Sequence, residues 1–210
     1  MRVNSAKTQL LCIAPASERE LSTFITTPEG THLKSGDNLK ILGFYFGRRP
    51  DAAEHIEAIK RKFYSRLWLL RHLRNAGIPN LDLLSLYKSM VRPVIEFAAP
   101  VYHTLLTATQ RGELDRLQAR ALKIVFGWNT SYKTALECSG TPRVEERTRD
   151  LFNRFAVKAA ASSRFKRWFP LNKDSIHYTR TREKYYVPST KTTRLLKNPI
   201  YQMRRYLNTL

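Results

Sequence analysis

The chain has 210 residues, of which 42% are hydrophobic and 11% aromatic, so it can bury the core of one medium domain or two small ones and is not wholesale disordered. Its 37 lysine and arginine residues against 17 acidic ones give a net charge of +20, which favours an anionic partner, either a nucleic acid or a membrane surface, over an ordinary soluble surface. The two cysteines, Cys12 and Cys138, exclude a disulfide framework and a zinc motif, and no apolar run of about 18 residues is present to cross a membrane.

The N-terminal region predicts short strands separated by turns. Residues 8–14 are apolar and end at Pro15, residues 23–27 precede a Pro-Glu-Gly turn, and residues 39–47 are rich in aromatic and β-branched side chains. The stretch before Pro15 has too short an apolar run for a secretory signal. We therefore expect an intracellular protein, nuclear or cytoplasmic, with both cysteine thiols buried and reduced.

Beyond these strands the apolar period changes from two to about 3.6, which predicts helices. The first helix ends near Gly77 and Pro79. Its apolar face consists of Ile56, Ile59, Phe63, Leu67 and Leu70. A second run, residues 81–106, is apolar on most sides, and Pro93 and Pro100 should kink or break it.

Three more helices are predicted after this run. The third helix extends from a cap at Thr107 or Thr109 to a stop at Gly127, a short helix occupies residues 131–140, and a fourth long helix begins after Arg143. The side chains expected to face inward are Leu114, Leu117, Ala121 and Ile124 in the third helix and Leu151, Phe152, Phe155 and Ala159 in the fourth long one.

Most catalytic arrangements are excluded by the placement of acidic residues and histidines. The six aspartates are scattered, whereas a two-metal phosphoryl-transfer site needs clustered carboxylates. The pair Glu145 and Glu146 opens a predicted helix, where acids suit the positive end of the dipole. We expect His55 to be a solvated helix residue and His103 to have a core or rim role.

Positive charge on helices remains as the chemical signal. Residues 59–74 form a basic helix with an apolar face, and residues 164–210 hold 12 basic and 2 acidic residues with aromatic ones between them. A solvated face, a membrane-surface helix and a calmodulin-target helix are alternatives for the basic helix. Taken with the basic tail, contact with the phosphates of a nucleic acid is the favoured interpretation.

The order of these segments resembles the downstream part of non-LTR (LINE-type, jockey/CR1-like) retrotransposon reverse transcriptases. Asn4, Lys7 and Thr8 match the family's N-x-x-K-T element at the end of the palm, and "LKILGFYF" matches its primer-grip hairpin. The thumb likeness lies in "HIEAIKRKFYSRLWLLRHLRNAGI", "LLSLYKSMVRPVIEFAAPVYH" and "LDRLQARALKIVFG". The likeness covers roughly residues 1–165.

The resemblance implies a mainly α fold: a helical thumb-like bundle preceded by a small N-terminal β hairpin, with a basic, partly irregular C-terminal tail. The implied segments are a palm remnant at residues 1–47, a thumb at 48–127 and a basic C-terminal segment at 128–210. The family's paired catalytic aspartates lie upstream of the matched region. We therefore expect no polymerase activity from this chain and no cofactor, since Mg²⁺ belongs to the full-length family enzyme.

The expected function is non-specific binding of RNA or of an RNA–DNA hybrid, with DNA as a further candidate. The alternative is a stand-alone nucleic-acid-binding or membrane-surface interaction protein without a polymerase role. The candidate phosphate-binding residues are Lys7, Lys60, Arg61, Lys62, Arg66, Arg71, Arg74, Arg164, Lys166, Arg167, Arg180, Arg182, Lys184, Arg204 and Arg205. The primer-grip-like residues implied by the resemblance are Leu42, Gly43 and Phe44.

Overall fold

The computed structural model describes residues 4, 8–13, 24–28, 30–49, 51–172, 184–189 and 192–210. Contacts divide the chain into two compact units, Met1–Ala58 and Ile59–Leu210. The fold is mainly helical with short antiparallel β structure near the N-terminus, as the sequence predicts.

The first unit contains two antiparallel hairpins. Strand β1 (Phe24–Thr26) pairs with β2 (His32–Lys34), and β3 (Asn38–Ile41) pairs with β4 (Phe44–Gly47). The continuous strand predicted over residues 39–47 from composition is therefore wrong, because the chain reverses at Leu42 and Gly43, whereas the β hairpin expected in this region is present.

Three further expectations also fail. The strand predicted at residues 8–14 is reduced, in the part that the structure describes, to one isolated bridge between Leu10 and Ser35. His55 is only 2% exposed instead of solvated, because its ring stacks on Phe44 with centroids 4.2 Å apart. Cys12 is half-buried, and Cys138 in the second unit is exposed, so the expectation of two buried thiols is wrong.

Prolines shape the first helices of the second unit as predicted. Helix α1 (Ala53–Asn75), within which the division between units falls, buries the expected apolar face. Helices α2 (Asn80–Leu86), α3 (Arg92–Glu96) and α4 (Ala99–Tyr102) follow, and a 3₁₀ turn spans His103–Leu105. A π-helical turn, Tyr87–Val91, precedes Pro93, whose ring would clash with a carbonyl one α-helical turn earlier.

Local capping signals set the bounds of the next two helices. Helix α5 (Ala108–Phe126) begins with a capping box between Thr107 and Gln110, and it ends at Gly127, whose φ is +106°. Helix α6 (Tyr132–Ser139) is capped by Ser131 and ends at Gly140. The predicted stripe of α5 is buried throughout: Leu114, Leu117, Ala121 and Ile124.

The C-terminal region packs on helix α7 (Val144–Ala161). A 3₁₀ segment spans Ser163–Trp168, and helices α8 (Thr193–Leu196) and α9 (Pro199–Asn208) follow. Phe152 and Ala159 of α7 are buried as predicted, whereas Leu151 and Phe155 are half-buried. The shared core of this region consists of Phe152, Ala156, Ala159, Phe169, Tyr185 and Met203. Helix α9 is a regular element within the tail expected to be partly irregular.

Candidate nucleic-acid interface

Helices α1 and α5 lie side by side and run in the same direction within the second unit. Near the start of the pair, Lys60 Nζ contacts Glu113 Oε2 at 3.1 Å. One turn further, the guanidinium of Arg120 lies 5.6 Å from the centre of the Tyr64 ring, within the range of a cation–π contact. These two contacts lie along one side of the helix pair, and on that side basic and aromatic side chains of both helices are exposed to solvent.

Arg74 joins the C-terminal ends of α1 and α5. Its guanidinium donates to the carbonyl oxygens of Ile124 and Val125 in the last turn of α5. Those carbonyls have no intrahelical partner at a helix end, and a cation there also suits the negative end of the dipole. Arg74 therefore has a structural role that accounts for its charge, as does Lys60 in its ion pair with Glu113.

An exposed basic surface follows from this pairing. On α1, Arg61, Tyr64, Trp68 and Arg71 recur at spacings of three and four, so they share one face. On α5, Arg116 and Arg120 are exposed one turn apart, and Arg120 reaches Tyr64. The α1–α5 surface is defined by Arg61, Tyr64, Trp68, Arg71, Arg116 and Arg120.

Arg66 lies near another edge of α1, and the helical repeat places Lys62 close to it. Arg66 borders a shallow apolar groove formed with Leu69 and Leu73 of α1 and with Met90 of the π-helical turn. Both cations are exposed. They add positive charge to α1 without belonging to the face that meets α5.

Charge pairing distinguishes the α1–α5 surface from helix α7. On α7, Arg147 binds Glu96 at 2.8 Å, Arg149 binds Glu145 at 2.9 Å and Arg154 binds Asp150 at 2.9 Å. Among the residues that the structure describes, none of the arginines on the α1–α5 surface forms an ion pair. The sequence accounts for this difference, because residues 59–75 contain six basic residues and no acidic one.

The remaining candidate phosphate-binding residues differ in their placement. Arg164, Lys166 and Arg167 are exposed on the 3₁₀ segment after α7, and Lys184 is exposed beside Tyr185. Lys7, Arg180 and Arg182 lie outside the described residues. The exposed members keep a basic surface near the C-terminal core.

Arg204 is buried rather than available to a ligand. It is 8% exposed, and its guanidinium donates to the carbonyls of Trp168 at 2.6 Å and Tyr186 at 3.0 Å. Burial lowers the pKa of the Arg204 guanidinium. The neighbouring Arg205 is half-buried, and Tyr185 packs in the core, so Tyr186 is the exposed member of that aromatic pair.

The primer-grip-like residues form the turn of the second hairpin. Leu42 is 93% exposed and has a positive φ of 49°, and Gly43 has a φ of 85°. Phe44 is buried against His55. The hairpin therefore presents one apolar side chain to solvent at its tip and anchors the next aromatic one.

His103 is a core residue, as the sequence predicts. Its Nδ1 lies 2.9 Å from Thr148 Oγ1, and it is 8% exposed. Burial, with smaller contributions from Arg111 and Arg149, lowers the pKa of His103 to about 4, while Glu145 acts in the opposite direction.

The carboxylate of Asp115 connects three helices. Asp115 accepts from the hydroxyl of Tyr132 at 3.4 Å and from the backbone N–H of Val144 at 3.2 Å, so it joins α5, α6 and α7. Burial and the Asp115 carboxylate raise the pKa of Tyr132, which keeps it protonated as the donor. Within the described ranges, no group of three or more His, Cys, Asp or Glu side chains is placed to hold a metal ion.

Sequence reasoning missed the contribution of α5 and of the exposed aromatic rings. Arg116 and Arg120 are four residues apart, and so are Tyr64 and Trp68, which is the spacing of neighbours on a helix face. The spacing is visible in the sequence. The pairing of α1 with α5 is a tertiary contact, and the sequence does not show it.

Comparison with known protein families, with curated proteins and with solved structures gave no match. None of the helices in the described ranges combines the length and the hydropathy that a membrane span requires.

Proposed function

We propose that the α1–α5 surface binds RNA or an RNA–DNA hybrid through phosphate groups and without base sequence preference. The observation that carries this proposal is that its arginines have no carboxylate partner among the described residues, whereas those of α7 do. A cation that is not held in an ion pair is available to a phosphate at little cost.

Non-specific binding is the form that this chemistry favours. Arginine and lysine contacts to phosphates release condensed counterions and carry no sequence information. The net charge of +20 adds long-range attraction for a polyanion. The exposed cations Arg164, Lys166 and Arg167 supply a second basic surface in the C-terminal region.

The resemblance to LINE-type reverse transcriptases supports the same ligand. In that family the thumb helices lie along the template–primer duplex, and the segment of this chain with the thumb likeness contains both α1 and α5. We propose accordingly that the chain is a reverse-transcriptase-like thumb region whose activity is binding rather than polymerisation.

A salt titration of binding tests the proposal. If about six phosphates are engaged on a hybrid duplex, log K should fall against log salt with a slope of about −5. Replacing Arg61, Arg116 and Arg120 by glutamine should make that slope shallower by about three. The matched control replaces Arg149, Arg154 and Lys158 of α7 by glutamine, which removes the same charge.

We expect the control to keep the slope of the unmodified protein. Equal losses in the two triple variants would show that only net charge matters, and they would contradict a site on α1 and α5. Tighter binding to vesicles containing anionic lipid than to any nucleic acid would favour the membrane-surface alternative instead.

A further inference from the structure

We propose that Trp68 is a stacking platform for an unpaired base, so that the α1–α5 surface prefers a single strand to a duplex. This inference rests on the proposed nucleic-acid function and names the ligand class more narrowly. It depends on the exposure of Trp68, the support of its ring and the placement of cations around it.

Trp68 is not needed to complete the core of α1. The buried face of that helix in the second unit consists of Ile59, Phe63, Leu67 and Leu70, each at most 2% exposed. Trp68 is 60% exposed on a different face, and Tyr64 one turn earlier is 46% exposed. Two large aromatic side chains therefore reach solvent side by side on the most basic helix of the chain.

Both rings are held in place by neighbours. The ring of His72, one turn after Trp68, lies 3.9 Å from it between centroids at an angle of 37°. His72 Nδ1 also lies 3.2 Å from the Trp68 carbonyl oxygen. Tyr64 is held from α5 by the Arg120 guanidinium. Preorganised rings lose less conformational entropy when a ligand binds.

The cations are placed to hold the phosphates of a strand whose base contacts Trp68. Arg61 precedes Tyr64 by three residues and Arg71 follows Trp68 by three, so each lies on the same face as a ring. A basic groove with interleaved aromatic rings is the common design of proteins that bind single strands without sequence preference.

A duplex cannot use this arrangement in the same way. Its bases are paired and stacked on one another, so their flat faces are closed to a side chain unless the helix is opened. A single strand offers an open base face at every nucleotide. Trp68 therefore contributes binding energy to a single strand that a hybrid duplex of equal length does not receive.

The test compares a 12-nucleotide single-stranded RNA with the hybrid duplex made from it, using fluorescence anisotropy. The variants are Trp68→Ala, Trp68→Phe and the control Trp128→Ala, whose side chain is 61% exposed in the unmodified protein. We expect Trp68→Ala to weaken single-strand binding by about fivefold to a hundredfold, the value of one base–aromatic stack. Trp68→Phe should retain part of the affinity, and the control should retain all of it.

A second readout uses Trp68 as the probe. With Trp128 and Trp168 replaced by phenylalanine, the single strand should quench the remaining tryptophan fluorescence and the duplex should not. Salt-sensitive binding that Trp68→Ala leaves unchanged would overturn the stacking platform while leaving the proposed function intact. An equal loss in Trp128→Ala would also overturn it, and absence of any nucleic-acid binding would overturn both.

Discussion

Arg204 should hold α9 against the segments around it, and its removal should release that helix selectively. Its guanidinium donates to Trp168 and Tyr186 across two chain segments, and it lies 5.3 Å from the ring centre of Tyr201. Arg204→Met keeps much of the apolar stem but removes every donor. The carbonyl groups of Trp168 and Tyr186 would then lose this donor in the native state.

The size of the effect follows from those two contacts. A hydrogen bond to a charged group contributes about 1.5–3 kcal/mol, and the loss is reduced because methionine avoids the cost of burying a charge. We expect α9 to lose about 2–4 kcal/mol of protection against local opening. Amide hydrogens in Pro199–Asn208 should then exchange about thirty to several hundred times faster.

Hydrogen exchange followed by mass spectrometry measures this effect segment by segment. The control is Arg167→Met, since Arg167 is exposed on the neighbouring 3₁₀ segment. Exchange in α5 should be unchanged in both variants. Unaltered exchange of α9 in Arg204→Met, or an equal acceleration in the control, would refute the argument that the buried guanidinium anchors the tail.

Three further predictions concern the core, its pH dependence and the first unit. Leu117→Ala should lower the free energy of unfolding by about 2–5 kcal/mol in urea titrations, because Leu117 is only 4% exposed. The control Leu81→Ala, at a position that is 78% exposed, should lower it by less than about 0.5 kcal/mol. Similar losses at both positions would contradict the assignment of the core. The pKa of His103 is about 4 in the folded protein and about 6.5 in the unfolded chain, so the free energy of unfolding should fall as the pH falls through this window, by about 2 kcal/mol at pH 5. His103→Gln should lose correspondingly less stability between pH 7.5 and pH 5. The same loss of stability in this variant would contradict the prediction. Amide hydrogens in the two-stranded hairpin at residues 38–47 should exchange faster than those of α5, because an isolated hairpin has only marginal stability in water. Equal protection of the hairpin and of α5 would contradict this prediction.

Helix positions could be predicted wherever the signal is local. Thr107 and Gly127 bound α5 because a capping side chain and a positive φ act within one turn of the helix end. Pro93 and Pro100 interrupt the apolar run because the missing N–H and the ring act on the preceding turn. These effects do not depend on what the helix packs against.

Features that depend on distant segments could not be predicted. Gly43 is a local signal for the hairpin turn, but the positive φ of the preceding Leu42 could not be predicted, because a side chain disfavours that conformation. Arg74 and Arg204 resemble other arginines in the sequence, yet each donates to carbonyls brought close by another part of the fold. A run of basic residues therefore shows the charge available but not which members remain open to a ligand.

Ultraviolet cross-linking of bound RNA, with the modified peptides identified by mass spectrometry, tests the central claim most directly. It reports which residues contact the nucleic acid without any substitution. We expect cross-links at Tyr64 and Trp68 and in the peptide of α5 that contains Arg120, and their loss at high salt. Cross-links confined to α6 and α7, with none on α1 or α5, would contradict the assignment of the α1–α5 surface as the nucleic-acid interface.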